Sequence, residues 1–296
     1  MTVGALWRRW RDVLAANGAG TATLDAKLLV GHALGFDALQ LATRESEFVS
    51  TLLASSVSEL MQRRLTGESV ARIIGHKEFY GLEFALNEAT LEPRPDTELL
   101  VDLALKALPT GGRFVDLGTG SGCIPISILA NRPDASGVAS DINPRALEMA
   151  GRNAERNGVS GRLNLRQGDW FGALLPPPSF PPHKGEGDDR AEESRFDLIL
   201  SNPPYISSEV VETLAPEVKD FDPRLALDGG PDGLGPYRII AAEAGAWLKP
   251  GGKVLVEIGY DQGAAVSNLF AAAGFSRISV EKDLAGLDRV VSAHHI

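Results

Sequence analysis

Five short apolar runs, 113–117, 137–140, 163–167, 196–201 and 253–258, alternate with stretches of helical periodicity, and this alternation constrains the chain more than any other feature. Apolar runs separated by helices build an α/β fold, in which a mainly parallel sheet is covered on its faces by the intervening helices. Helices are expected over 97–107, 123–131, 145–157 and 235–248. The sequence Lys249-Pro250-Gly251-Gly252 is expected to end the last of these before its strand begins. One more helix, 264–273, and a hairpin-like stretch follow.

The first 75 residues read differently. Val3, Leu6, Trp7, Trp10, Val13 and Leu14 recur at three- and four-residue spacing and form one apolar stripe. A second helix is expected from an N-cap at Thr23, with Leu24, Leu28, Leu29, Ala33 and Leu34 inward. A third, over 50–65, carries Leu52, Leu53, Val57, Leu60, Met61 and Leu65. The segment is therefore expected to be a small helical bundle. Residues 76–93 contain an aromatic, alternating hairpin and are read as a linker, and 94–296 as the α/β domain. Within the latter, 176–194 has five prolines and seven charged residues without apolar periodicity, and is expected to be a disordered surface insertion.

Charge narrows the function classes. The 29 Lys and Arg against 39 Asp and Glu leave a net charge of −10. A general nucleic-acid binder presents a strongly basic face, so no direct nucleic-acid partner is expected. The bundle is nearly balanced, with eight basic residues against seven acidic ones, and its arginines read either as solvated surface or as a docking face. A single cysteine, Cys123, excludes an intramolecular disulfide and a multi-cysteine metal site, and no metal is expected. The start of the chain has no secretory signature, and no run of about 18 apolar residues occurs. A cytoplasmic protein without membrane contact is expected.

The first run leads straight into Asp116-Leu117-Gly118-Thr119-Gly120-Ser121-Gly122. Glycines there let the backbone turn sharply and let a ligand approach without a Cβ in the way. The dinucleotide pattern G-x-G-x-x-G fails in both registers, because Cys123 or Pro125 falls where the third glycine belongs. A phosphate loop fails too, for want of a Lys-Ser/Thr pair. The stretch resembles motif I of class I S-adenosylmethionine-dependent methyltransferases. About 20 residues on, the second strand ends at Asp141, a carboxylate able to accept from both ribose hydroxyls; its other reading is a turn or cap residue before Asn143-Pro144. The third strand ends at Gly168-Asp169-Trp170, where Asp169 can accept from the adenine amine and Trp170 can offer an apolar face or a backbone donor. An ordinary acidic turn with a buried tryptophan is the alternative.

The fourth run, 196–201, is followed by Asn202-Pro203-Pro204-Tyr205. In a doubly wound sheet, ligands sit at the carboxyl ends of the strands where connection order reverses, so this turn is expected to face the glycine loop. Two prolines stiffen the backbone and leave rigid carbonyls. The chemistry that needs this is methylation of a planar nitrogen, whose delocalised lone pair makes it a poor nucleophile. Asn202 Oδ1 and the Pro203 carbonyl can accept its two N–H bonds, and Tyr205 can pack on its plane, so that catalysis rests on positioning and electrostatics.

These motifs, with Pro93-Arg94-Pro95-Asp96-Thr97-Glu98, Asp141-Ile142-Asn143-Pro144 and Pro223-Arg224-Leu225-Ala226-Leu227, resemble the HemK/PrmC family over essentially the whole chain outside 176–194. These are protein-(glutamine) methyltransferases acting on the Gly-Gly-Gln motif of peptide chain release factors. One departure is Arg72, where the family often has tyrosine. The resemblance implies a class I methyltransferase (Rossmann-like) fold with a seven-stranded, mainly parallel sheet, and an N-terminal helical domain that docks release factors. It implies S-adenosyl-L-methionine as donor, bound by Gly118, Thr119, Gly120, Ser121, Gly122, Asp141, Asp169, Trp170 and Asn202. It implies a substrate amide held by Asn202, Pro203, Pro204 and Tyr205, with Asn202, Pro203 and Tyr205 catalytic. Asp96 is read equally as helix N-cap and as site residue, and Thr97 or Glu98 as lining the donor's methionine end. Cys123, without a histidine partner, reads as packing rather than as a nucleophile.

Two rivals remain. An adenine-amine methyltransferase of DNA or RNA shares Asn-Pro-Pro-Tyr but needs a basic groove and a flipped base. A non-catalytic donor-binding protein has no use for the amide-orienting carbonyls.

Overall fold

The structure, a computed structural model, describes residues 1–174 and 195–296. The 176–194 segment lies outside the described residues. The chain divides into two compact units, one made of Met1–His76 with Pro216–Phe221, the other of Lys77–Ala215 with Asp222–Ile296.

The first unit is helical. Thr2 caps Val3–Ala16, accepting from the Ala5 amide, and Val3, Leu6, Trp7, Trp10 and Leu14 are buried along one stripe. The second helix, Ala22–Leu34, starts before the expected Thr23 cap, with Thr21 in the capping position. Its buried face is Ala22, Ala26, Leu29 and Val30, while Leu24 and Leu28 are 57% and 44% exposed. The small alanines let this helix lie close against the first, and that packing turns the two leucines outward. Thr51–Leu65 is capped by Ser50 and buries Val57 and Met61. Its expected inward Leu52 is 77% exposed, because the helix contributes one narrow stripe rather than a broad face. Two short helices, Ala38–Thr43 and Val70–Ile74, have too few residues to display a period in sequence; each is announced only by its cap, Asp37 in a capping box with Gln40, and Ser69.

Arg64 ties this unit together. It donates to the buried Asp25 at 2.8 Å and to Glu217 at 2.9 Å, and Thr21 also donates to Asp25. Removing one partner of a buried pair strands the other charge. Arg64→Met is therefore expected to destabilise the first unit by about 3 kcal/mol. A urea midpoint shifted by less than a third of that amount in free energy would show the pair to be solvent-screened.

The chain enters the second unit in a hairpin, β1 (His76–Phe79) and β2 (Leu82–Ala85), turning through Tyr80 and Gly81 at positive φ. It is packed down: Phe79 and Phe84 are buried in one core cluster with Leu100, Val101 and Ala104. The buried Asn153 side chain bonds the N–H and C=O of Ala85 and also donates to the Ser121 carbonyl at 2.9 Å, joining the hairpin to the glycine loop.

The main sheet contains β3 (Arg113–Leu117), β4 (Ser136–Asp141), β5 (Leu163–Gln167), β6 (Phe196–Ser201), β7 (Leu248–Glu257), β8 (Ser276–Lys282) and β9 (Asp288–His294). Their order is β5-β4-β3-β6-β7-β9-β8, parallel except for β9, which is antiparallel to β7 and β8. Helices Glu98–Ala107, Cys123–Asn131 and Pro144–Arg156 cover one face, and Gly235–Trp247 and Gly263–Ala272 the other. Buried on both faces, strands such as β6 read as continuous apolar runs. β7 departs from expectation at its start. Phe196 pairs with Leu248 and Leu198 with Lys253, so the Lys249–Gly252 turn is a bulge inside the strand, pinned by Lys249 on Asp197 at 2.9 Å.

Candidate active site

The chain runs β3, β4, β5 outward on one side and then crosses to β6 on the other side of β3. That reversal lies at the carboxyl ends of β3 and β6, where such sheets leave a crevice. Leu117 pairs with Ser201, and the Ser201 hydroxyl donates to the Leu117 carbonyl at 2.7 Å. The residues that follow, Gly118 and Asn202, are therefore set side by side by strand register. A cavity of about 390 Å³ opens there, of a size typical of small-ligand sites.

Three glycines shape one wall. Gly118, Gly120 and Gly122 have φ of 75°, 55° and 79°, where a Cβ is disfavoured. The Gly118 and Thr119 amides both donate to the Ser140 carbonyl at 2.9 Å. Asp141 holds the loop from the next strand: one carboxylate oxygen accepts from the Gly120 amide and the other from Asn143, each at 2.9 Å. The helix that follows is capped by Asn143, not Asp141, leaving the remaining lone pairs of Asp141 to the cavity it lines. Burial raises the Asp141 carboxyl above its ordinary value.

Of the residues singled out in sequence, Gly118, Thr119, Gly120, Ser121, Asp141, Asp169, Trp170, Asn202 and Pro204 line this cavity together. Gly122 does not, and its space is taken by Ile126 and Ala150, which a Cβ would meet at 2.8 and 3.1 Å. Pro203 is buried, between the lining residues Asn202 and Pro204. The Tyr205 ring packs on the core beneath, and its carbonyl accepts from Gln262 at 2.9 Å. Cys123 lines the cavity, with burial pushing its thiol up to about 12, so it is no nucleophile at neutral pH.

The Pro93–Glu98 stretch divides its duties. Pro95–Thr97 forms a tight 3-10 turn, so Asp96 is not the helix N-cap and instead pairs with Arg289 at 3.3 Å. Glu98 accepts from the Tyr80 amide and is structural. Arg94 lines the cavity and is held by the buried Asp222 at 2.8 Å. Thr97 also lines it, and its hydroxyl accepts from Asn202 Nδ2 at 3.2 Å. The Asn202 amide is therefore turned with Nδ2 inward and Oδ1 without a protein partner among the described residues.

Two acids have no role in the sequence reading of this site, although each stands out as a carboxylate within an apolar run and Asp116 opens the quoted glycine motif. Asp116, at the tip of β3, is fully buried, and neither carboxylate oxygen has an aligned hydrogen bond. Burial pushes it up to about 7, against the ordinary 3.8; the nearby Thr119 hydroxyl only partly offsets this. Glu257 ends β7 and is likewise buried and raised to about 7, chiefly by burial. A buried, unpartnered carboxylate beside a ligand cavity is a natural counter-charge for a cation. Among the lining residues, Glu92 is paired with Lys77, Asp228 with Arg224 and Arg94 with Asp222, which leaves Asp141 and Asp169 as carboxylates without an ion-pair partner among the described residues.

Asp116 also makes a stability prediction. Its folded-state pKa lies above the unfolded one, so the folded protein binds the proton more tightly. Stability is therefore lost as pH rises from about 4 to about 7 and is level above that. Asp116→Asn keeps the shape and removes the charge. The ligand-free variant is expected to be more stable than the parent by about 1–3 kcal/mol at pH 8, the gap closing by about pH 4. Urea denaturation at both pH values measures it, and a gap that does not depend on pH sinks the assignment.

The sheet order, its switch between β3 and β6, and the glycine loop facing an Asn-Pro-Pro-Tyr turn place the second unit in the class I methyltransferase fold. Family models agree: the PrmC N-terminal domain matches residues 5–75 and the Methyltransferase small domain matches 94–175. A release factor glutamine methyltransferase from Agrobacterium fabrum is 42% identical over 98% of this chain and 96% of its own length. Another, from Cereibacter sphaeroides, is 43% identical over 95% of this chain and 94% of its own. The chain belongs to the family of release factor glutamine methyltransferases. A solved methyltransferase from Pyrococcus furiosus shares the fold, with a TM-score of 0.51 at 18% identity over 81% of this chain and all of that one. No helix among the described residues is long and apolar enough to cross a membrane.

Proposed function

We propose that this protein transfers a methyl group from S-adenosyl-L-methionine to the side-chain amide nitrogen of the glutamine in the Gly-Gly-Gln motif of peptide chain release factors, in the cytoplasm. The observation that carries the reading is the register of β3 and β6, which puts the Asn202 amide, its Oδ1 unengaged, next to the Gly118–Gly122 loop. Relatives of this name, more than 40% identical over nearly the whole chain, support the substrate class. The net charge of −10 supports a protein rather than a nucleic-acid substrate.

The residues present suit the donor. Gly118, Thr119, Gly120 and Ser121 would admit it closely, Asp141 would accept from its ribose hydroxyls, and Asp169 with Trp170 would flank its adenine. Asp116, with Asp141 and Asp169 in the lining, would favour its positive charge. The donor supplies an electrophilic methyl on a sulfonium. Asn202 Oδ1 and the Pro203 carbonyl accept the two N–H bonds of the substrate amide and hold its nitrogen toward that methyl. Its lone pair would form the new N–C bond as the S–CH₃ bond of the sulfonium breaks, leaving a neutral thioether, and one of the two N–H protons would pass to solvent. Pro204 and Tyr205 stiffen the turn, with the Tyr205 ring anchored in the core. Holding reactants in line supplies much of the rate of such a transfer.

The test is mass spectrometry of a release factor, and separately of adenine-containing DNA and RNA, after incubation with enzyme and donor. A single methyl on the Gly-Gly-Gln glutamine is expected. Methylated adenine with an unmodified release factor would overturn the reading.

A further inference from the structure

Behind Asn202 lies a short buried polar chain. Thr97, which is 2% exposed, accepts a hydrogen bond from Asn202 Nδ2 at 3.2 Å. A hydroxyl that accepts in this way has its own proton to place elsewhere. Glu257 stands at the end of β7 beside Asn202, since Ser201 pairs with Val256 and the next residues on each strand adjoin. Glu257 is 1% exposed, and its Oε2 has no aligned partner. Both Thr97 and Asn202 interact with its carboxyl so as to favour the charged form. Arg289 lies beyond it, already committed to Asp283 and Asp96.

An amide side chain can present either end, and its network of partners decides which. With Glu257 accepting the Thr97 proton, the Thr97 lone pairs face Asn202, and only an N–H group can meet them. Oδ1 is then forced toward the cavity. Without that acceptor, the Thr97 hydroxyl is free to turn and donate to Asn202 Oδ1. The amide flips and presents an NH₂ group to a substrate that itself offers N–H bonds. We infer that Glu257 is a positioning residue that, through Thr97, sets the orientation of the Asn202 amide and so makes it an acceptor for the substrate nitrogen. The inference rests on the proposed reaction for its kinetic part, but the amide orientation is a property of the protein alone.

Glu257→Met keeps the bulk of the side chain and removes the acceptor. It is expected to lower kcat about ten- to hundredfold with KM and donor affinity changed less than about twofold. Glu257→Gln, whose carbonyl can still accept from Thr97, restores kcat to within about threefold of the parent. Thr97→Val reproduces the loss, and the Thr97→Val/Glu257→Met pair is no worse than either alone, as expected for links of one chain. A second readout needs no substrate. The Asn202 side-chain amide protons, assigned in nitrogen-15 spectra by their disappearance in Asn202→Ala, exchange with solvent at least about tenfold faster in Glu257→Met. Unchanged exchange and kcat in Glu257→Met overturn the inference, as does a loss in which Glu257→Gln is no better and donor affinity falls in step. Protected amide protons without any release-factor methylation by the parent protein would instead fault the proposed reaction and leave the positioning intact.

Discussion

Asn202→Ala is expected to lower turnover on a release factor about a hundred- to thousandfold, while the affinity for donor falls less than about tenfold. The reason lies in where the acceptor sits. Asn202 Oδ1 is the one side-chain acceptor at the tip of β6 that is turned to the cavity with no protein partner among the described residues, because its nitrogen end is taken by Thr97. A pre-oriented polar group aimed at the reacting atom stabilises the transition state more than the ground state. Alanine leaves one N–H of the substrate amide without a partner and the nitrogen free to tilt. Steady-state kinetics with mass-spectrometric detection, beside calorimetric titration of the donor, separates the two effects. Turnover within about fivefold of the parent would move the catalytic burden to the Pro203 carbonyl alone. A parallel loss of donor binding would make Asn202 a binding residue.

The second large effect is expected at Asp141. Its carboxylate does two jobs at once: it accepts from the Gly120 and Asn143 amides, and its remaining lone pairs face the cavity. Asp141→Ala would remove the acceptor for the ribose hydroxyls and release the loop that carries Gly118 to Gly122. Hydrogen bonds to a charged acceptor contribute about 1.5–3 kcal/mol each, so donor affinity is expected to fall about a hundredfold or more. Asp141→Asn should not rescue it, because its NH₂ group meets an amide N–H where an acceptor is needed. Titration calorimetry measures the change, and a shift of less than about threefold would reduce Asp141 to a turn residue. The contrast with Asn202 is the point of the pair: one variant fails to bind donor, the other binds it and fails to use it.

Much of this architecture was legible because buried parallel strands and their helices leave strong local signatures. The strands 163–167 and 196–201 and the helix 123–131 coincide with the expected spans residue for residue. The continuous apolar character of 196–201 follows from burial on both sides, whereas 163–167, at the sheet edge, keeps only Leu163 buried. The glycines of the 118–122 loop were legible for a related reason: their backbone conformation is itself unusual, so the residue type reports it. The errors have equally particular causes. Thr21 and Thr23 are equal caps by residue type, yet the second helix begins at Ala22, with Thr21 in the capping position making no side-chain cap bond and donating instead to Asp25, because Ala22 and Ala26 pack inward. Lys249 to Gly252 looks like a terminator, yet pairing of Leu248 with Phe196 draws it into β7 as a bulge.

The α/β alternation, the glycine loop, the acid after the second strand and the Asn-Pro-Pro-Tyr turn are all written in local spacing or backbone preference. Tertiary structure alone decided that the tips of β3, β6 and β7 converge. It thereby buried Asp116 without a partner, placed Thr97 behind Asn202 and brought the buried Glu257 beside them. No local signal carries that information, since the orientation of one amide depends on hydrogen-bond partners about 100 residues before it and 55 after it in the chain.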